Sequence, residues 1–237
     1  RRDLMMLVKW ASAYVACKSE GWTGGNGYPI GLGDMSESNG AIPGTAVDSP
    51  GHPEGTHVDG YDIDIAYYQN ELTGQPNNFL RAICDHQENG ADQYHCISEP
   101  YMLDLWRSSL FIGALFSSPR TRVIGVDGKV GAMIEQALDV LCADGWIPTA
   151  GCQAANQSLG YELQNEGMGW YYHHHHHLHL SLFNIGNSFM NSKPCLTPDC
   201  SPMDYSISHL EHGLVPGHVR NEEFLPVSLP RLDPPLW

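Results

Sequence analysis

Between Gly55 and Tyr68 the chain reads GTHVDGYDIDIAYY, and few folds accept such a stretch. From Tyr61 onward residues alternate, so that Tyr61, Ile63 and Ile65 fall on one face of an extended strand and Asp62, Asp64 and Ala66 on the other. The apolar face belongs in a core, which leaves two carboxylates on the opposite face. His57 precedes Asp64 by seven residues, an odd offset that would set them on opposite faces of a continuous strand. Gly60 can adopt the backbone angles that fold the loop back, and with that bend both side chains can point at one ion. The stretch reads as half of a metal site. A catalytic zinc ion needs about three protein ligands of imidazole, carboxylate or thiolate type plus a position for water, so a third ligand must come from elsewhere.

Its source is Tyr171 to Leu182, YYHHHHHLHLSL, a β-prone run in which His173, His175, His177 and His179 share one face if the strand is regular. The run ends in His-Leu-His. Five adjacent histidines suggest an expression tag, but tags sit at termini, and this run is internal and flanked by aromatic and aliphatic residues. The plain alternative for the first stretch is an acidic surface loop. For His173, His175 and His176 it is exposed strand residues, favoured over substrate contact.

In this order the two stretches resemble the penicillin-insensitive murein endopeptidases. These belong to the LAS group of zinc peptidases, which includes D-alanyl-D-alanine carboxypeptidases and dipeptidases and has hedgehog-like relatives. The family's SHxxGxDxD segment supplies two metal ligands, matched by His57 and Asp64, with Thr56 where serine is usual. A later HxH supplies the third ligand from its second histidine, matched by His179, and a catalytic histidine from its first, matched by His177. His174, His177 and His179 fit the longer HxxHxH form, and Gly33, Asp34, Met35 and Ser36 fit a GD-hydrophobic-S stretch. Where the family usually carries a histidine three residues before the first ligand, this chain has Glu54, and its nearest histidine is His52. Where an arginine is common two residues after the HxH, it has Ser181.

The resemblance covers roughly residues 1–183 and implies an α+β domain of LAS/hedgehog-like fold, with a small central antiparallel sheet flanked by helices. It implies a zinc metallopeptidase that hydrolyses peptide crosslinks of bacterial peptidoglycan, or else a D-Ala-D-Ala carboxypeptidase or dipeptidase. Zinc held by His57, Asp64 and His179 would lower the pKa of its water and polarise the scissile carbonyl. His177 takes the water proton or stabilises the intermediate, and Asp62 either orients a ligand histidine or holds the turn. Two readings compete from other classes. In a non-catalytic hedgehog-like zinc domain the retention of His177 would be unexplained, and a His-rich metal-sequestering protein needs no ordered HxxGxDxD.

With 237 residues, 42% hydrophobic and 16% charged, the chain is long enough for one large domain with a sizeable core. A net charge of −15 argues against binding phosphate backbones or anionic membrane surfaces, both of which need clustered lysine and arginine. Nucleic acid is therefore not an expected partner; oligomeric state is not legible. Seven cysteines point to an oxidising compartment and a periplasmic or secreted protein, with pairs Cys84–Cys96, Cys142–Cys152 and Cys195–Cys200 and with Cys17 left over as a free thiol or intermolecular link. No CxxC pair supports a cysteine zinc site. No apolar run reaches the roughly 18–20 residues that span a bilayer. A start at Arg1 fits a processed protein or fragment.

Along the chain, Asp3 to Lys18 carries apolar residues at helical spacing, and the glycines from Gly21 to Gly27 end that helix. Tyr28 to Gly33 reads as a short strand, and Glu37 to Glu54 as a loop on the rim of the site. Helices are predicted over Tyr101 to Phe116 and Val130 to Ala143, with a core strand at Val123 to Val126 between them. Thr73 to Tyr94 is polar, with Cys84, Asp85, His86 and His95 in or beside it, and is expected to be a disulfide-bounded loop rather than a second metal site. Cys142 to Gly169 is a connector and Trp170 to Phe183 the histidine-bearing strand. Residues 184–237, rich in Pro, Ser and Asn, are expected to form an irregular tail.

Overall fold

The structure is a computed structural model, and it describes residues 1–22, 24–25, 27–70, 78–86, 94–165 and 169–184. The expected tail and the Cys195–Cys200 pairing lie outside these residues.

Four helices and a four-stranded sheet make up an α+β fold among the described residues. Helix α1 (Arg2–Lys18) forms where Leu4, Val8, Ala11 and Val15 recur at helical spacing, and it buries that stripe. Helix α2 (Leu105–Phe116) begins where the Asp104 carboxylate accepts from the Arg107 backbone N–H at 3.1 Å. It is buried along its whole length, packed on α1 and on two later helices, α3 (Gly128–Ala143) and α4 (Thr149–Ser158). Asp127 caps α3, accepting from the Lys129 N–H at 2.9 Å.

The sheet runs in the order β1 (Asp62–Ala66), β4 (His177–Leu182), β2 (Thr121–Gly125), β3 (Leu159–Gly160). β1 and β2 both pair antiparallel with β4, whereas β3 pairs parallel with β2. The sheet is therefore mixed and not antiparallel as expected, because α4 returns the chain so that β3 enters in the same direction as β2. On one face Ile63, Ile65, Ile124, Leu178 and Leu180 are fully buried, each stabilising by about 1.5–3 kcal/mol. On the other face the register sets Asp62 opposite Ser181, Asp64 opposite His179 and Ala66 opposite His177. This polar face is buried too. Beyond β1 the extended segment 31–34 adds backbone bonds, Gly33 N–H to Asp64 O at 2.8 Å and Asp64 N–H to Asp34 O at 3.0 Å.

Further expectations are corrected. The stretch from Cys142 to Gly169 is no mere connector, since it holds α4 and β3. Trp170 to Phe183 is not one strand: β4 begins only at His177, and His173 has a left-handed φ of 66° that breaks any alternation before it. His173, His175, His177 and His179 thus do not share a regular face, and of the three histidines expected to be exposed, only His173 is; His175 is buried. Cys17 is disulfide-bonded and not a leftover thiol. Disulfides Cys84–Cys96 and Cys142–Cys152 are present as expected.

Candidate metal centre

His57 reaches the sheet through a tight reversal. His57, Asp59 and Gly60 have left-handed φ values of 51°, 53° and 68°, and the turn closes by Tyr61 N–H bonding Val58 O at 3.2 Å. Only glycine adopts such angles without strain, and a Cβ at Gly60 would also lie 2.8 Å from the Arg1 backbone nitrogen. The reversal brings His57, fully buried, over the polar face of β1 and β4.

There one oxygen, Asp64 Oδ1, lies 3.0 Å from His179 Nδ1, 3.3 Å from His57 Nε2 and 3.4 Å from His177 Nε2. His57 Nε2 and His179 Nδ1 face each other at 3.0 Å. On its far side His179 Nε2 donates to Asp62 Oδ1 at 3.3 Å, the contact expected of a carboxylate that orients this histidine. The four predicted site residues, His57, Asp64, His177 and His179, thus converge from two strands and one loop. His174, the outer member of the HxxHxH pattern, sits with its ring 5.2 Å from that of His177 and 6.5 Å from that of His179.

The spacing suits a small divalent ion. Ligands at about 2.0–2.1 Å in a tetrahedron lie about 3.3–3.4 Å apart, close to the separations among His57 Nε2, Asp64 Oδ1 and His179 Nδ1. Among the described residues, His57 Nδ1 is buried without a hydrogen-bond partner, which leaves Nε2 as the nitrogen facing the cluster. His52 was missed by sequence reasoning. Its Nε2 donates to Asp34 Oδ2 at 3.0 Å and its ring stacks on His57 at 3.8 Å and 29°. His52, His57 and Asp64 form a group that can hold a metal ion, with ligand atoms all within 4.8 Å of one another. The signal for His52 was its place as the histidine nearest to Glu54, in the same glycine-rich loop.

Electrostatics separate the roles. Burial works to raise the Asp64 pKa, but hydrogen bonds from His179 and His57 and the nearby His177 overcome it and hold the carboxyl well below the usual range. Burial pushes His177 well below the ordinary imidazole value, with Asp64 opposing only in part, so it stands neutral. At His179 burial is outweighed by Asp62 and Asp64, which raise its pKa. Burial lowers His174 to about 4.

The walls come from the rest of the run and from aromatic residues. Tyr67 Oη donates to His174 O at 2.9 Å, and Ile83 N–H to His175 O at 3.1 Å, pinning the irregular segment. The His86 ring lies tilted at 30° to that of His175, centroids 4.3 Å apart, beside the Cys84–Cys96 bridge. Trp170 lies against Gly125, where a Cβ would come within 1.9 Å of its ring, and its ring is 5.7 Å from that of His179.

Comparison with family models, curated proteins and solved structures returns no match. No helix among the described residues is long and apolar enough to cross a membrane.

Proposed function

We propose that the chain is a zinc metallopeptidase that hydrolyses the peptide crosslinks of bacterial peptidoglycan, with the ion held by His57 Nε2, Asp64 Oδ1 and His179 Nδ1. The observation that carries this reading is the convergence of those three atoms within 3.0–3.3 Å on a buried polar sheet face. Two imidazoles and a carboxylate are a donor set suited to catalytic zinc. His179 is preferred to His52 as third ligand because ring lone pairs lie in the ring plane. The His57 and His179 rings are inclined at 69° and can converge on one point, whereas the stacked His52 and His57 rings are inclined at only 29°.

Zinc, when bound, acidifies a water molecule and polarises the scissile carbonyl. Asp62 accepts the Nε2–H of His179 and so fixes the tautomer that presents Nδ1. His177, neutral through burial, accepts a proton from the attacking water and returns it to the leaving amine. The disulfides fit export to the periplasm or beyond, where this substrate lies.

The test is a digest of purified crosslinked peptidoglycan with the products identified by mass. Crosslinked dimers should give way to monomers. Release of terminal D-alanine alone would move the activity to the carboxypeptidases, and no released product would leave a non-catalytic zinc domain.

A further inference from the structure

A row of imidazoles leads from the metal centre through His177 to the backbone of another loop. His177 Nε2 lies 3.4 Å from Asp64 Oδ1, and its other nitrogen, Nδ1, faces His176 Nε2 at 3.2 Å. His176 Nδ1 in turn faces His175 Nδ1 at 3.4 Å. The rings of His175 and His176 are inclined at 56° and those of His176 and His177 at 80°, so neither pair is stacked and in-plane N–H bonds can run from ring to ring. The far end is tied to main chain. His175 O accepts from Ile83 N–H at 3.1 Å, and the buried His175 ring hydrogen-bonds the backbone of Tyr94. Tyr94 has a left-handed φ of 63°, uncommon for a bulky residue, two positions before Cys96 of the Cys84–Cys96 bridge.

A neutral imidazole has one N–H and one lone pair, and the bond made by one nitrogen decides the role of the other. Burial, with His176 and His86 nearby, pushes His175 down to about 3, and burial lowers His176 as well, so both rings are neutral near neutral pH. The bond to Tyr94 works to raise the His175 pKa, as a bond donated to a carbonyl oxygen does. His175 thus spends its one hydrogen on Tyr94 and offers Nδ1 as an acceptor. His176 must then donate from Nδ1 and accept at Nε2, and His177 must donate from Nδ1, which leaves Nε2 as the lone pair turned to the centre. The opposite order would give Asp64 a hydrogen from His177, but Asp64 already faces His57 and His179, and it would set a buried His175 lone pair against the Tyr94 oxygen. We infer that His175 and His176 are positioning residues: they carry the demand of the Tyr94 carbonyl for a hydrogen through two rings and fix His177 in the tautomer whose Nε2 takes the proton during hydrolysis. This rests on the hydrolase reading of the same centre.

The test uses the zinc-loaded full chain carrying isotope-labelled histidine. Long-range proton–nitrogen correlation, with the His177 signals assigned by their loss in His177→Ala, should show His177 protonated at Nδ1 and bare at Nε2. His176→Leu should lose that single tautomer and lower kcat on a purified crosslinked muropeptide dimer about tenfold or more, with KM and zinc content unchanged. His176→Gln, whose amide can accept from one neighbour and donate to the other, should restore the tautomer and most of the rate. A wild-type His177 that carries its hydrogen on Nε2 would overturn the inference whatever the variants do. A His176→Leu variant with wild-type kcat, or a His176→Gln variant as impaired as His176→Leu, would overturn the positioning role and leave the hydrolase reading standing. If wild type shows the expected tautomer but cuts no dimer, the hydrolase reading fails, and the role in hydrolysis fails with it.

Discussion

Asp64 Oδ1 faces three imidazole nitrogens, and these histidines divide by what else each one touches. His179 is braced by Asp62 on its other nitrogen, whereas among the described residues His177 Nδ1 faces His176 Nε2 at 3.2 Å. His179 therefore suits a ligand and His177 a proton carrier. His177→Ala should keep its zinc yet lose on the order of a hundredfold in peptidoglycan hydrolysis, the scale of a positioned acid or base, and exposed His173→Ala should change neither. Rate and zinc content measured side by side check this, and an active His177→Ala variant would show that the proton carrier is another residue. At this scale the sequence was informative: alternation and the glycine turn pointed to His57 and Asp64 as one half of a site. His52 was noticed only as the histidine nearest to Glu54 and not as part of the group, because its position depends on a loop path, which leaves no periodic mark.

At the scale of elements, α1, α2, β2 and α3 were legible because each carries large apolar residues at a clear period or a capping aspartate. α4 was not, since TAGCQAANQS buries only Gly151 and Ala155 and has no apolar stripe. The histidine run misled for a different reason: its first part is fixed by distant partners, Tyr67 and Ile83, and not by strand pairing. β2 can lie beside His179 only because Gly125 has no side chain beneath Trp170. Gly125→Ala should cost about 1–3 kcal/mol as an overpacking change and displace the indole, which denaturant unfolding and tryptophan fluorescence would report. An unchanged midpoint would place Trp170 elsewhere. The Cys84–Cys96 bridge closes a loop with a sequence separation of 12. Replacing both cysteines by serine should lower stability by about 2–4 kcal/mol, again read by unfolding, and a wild-type midpoint would mean that the bridge does not constrain the chain.

Across the described residues, helices pack against the sheet, and the loop carrying His52 and His57 lies over the acids and imidazoles of its polar face. The α+β character was legible, but the mixed sheet was not, because the two-residue β3 is too short to leave a pattern. A buried group of Asp62, Asp64 and histidines is costly to fold without a compensating charge, so ion binding should be linked to global stability. At a free zinc concentration about a hundredfold above Kd the gain is about 2.7 kcal/mol. Thermal unfolding should shift upward with zinc and back down with a chelator; a Tm indifferent to both would argue that no ion is held in the folded state.

The most direct measurement is metal analysis of the purified chain beside four variants, His57→Ala, Asp64→Ala, His179→Ala and His52→Ala. Wild type should hold about one zinc per chain, the first three variants should lose most of it because two ligands hold the ion poorly, and His52→Ala should keep it. Full zinc in the first three variants, or loss in His52→Ala with retention in His179→Ala, would contradict the assignment.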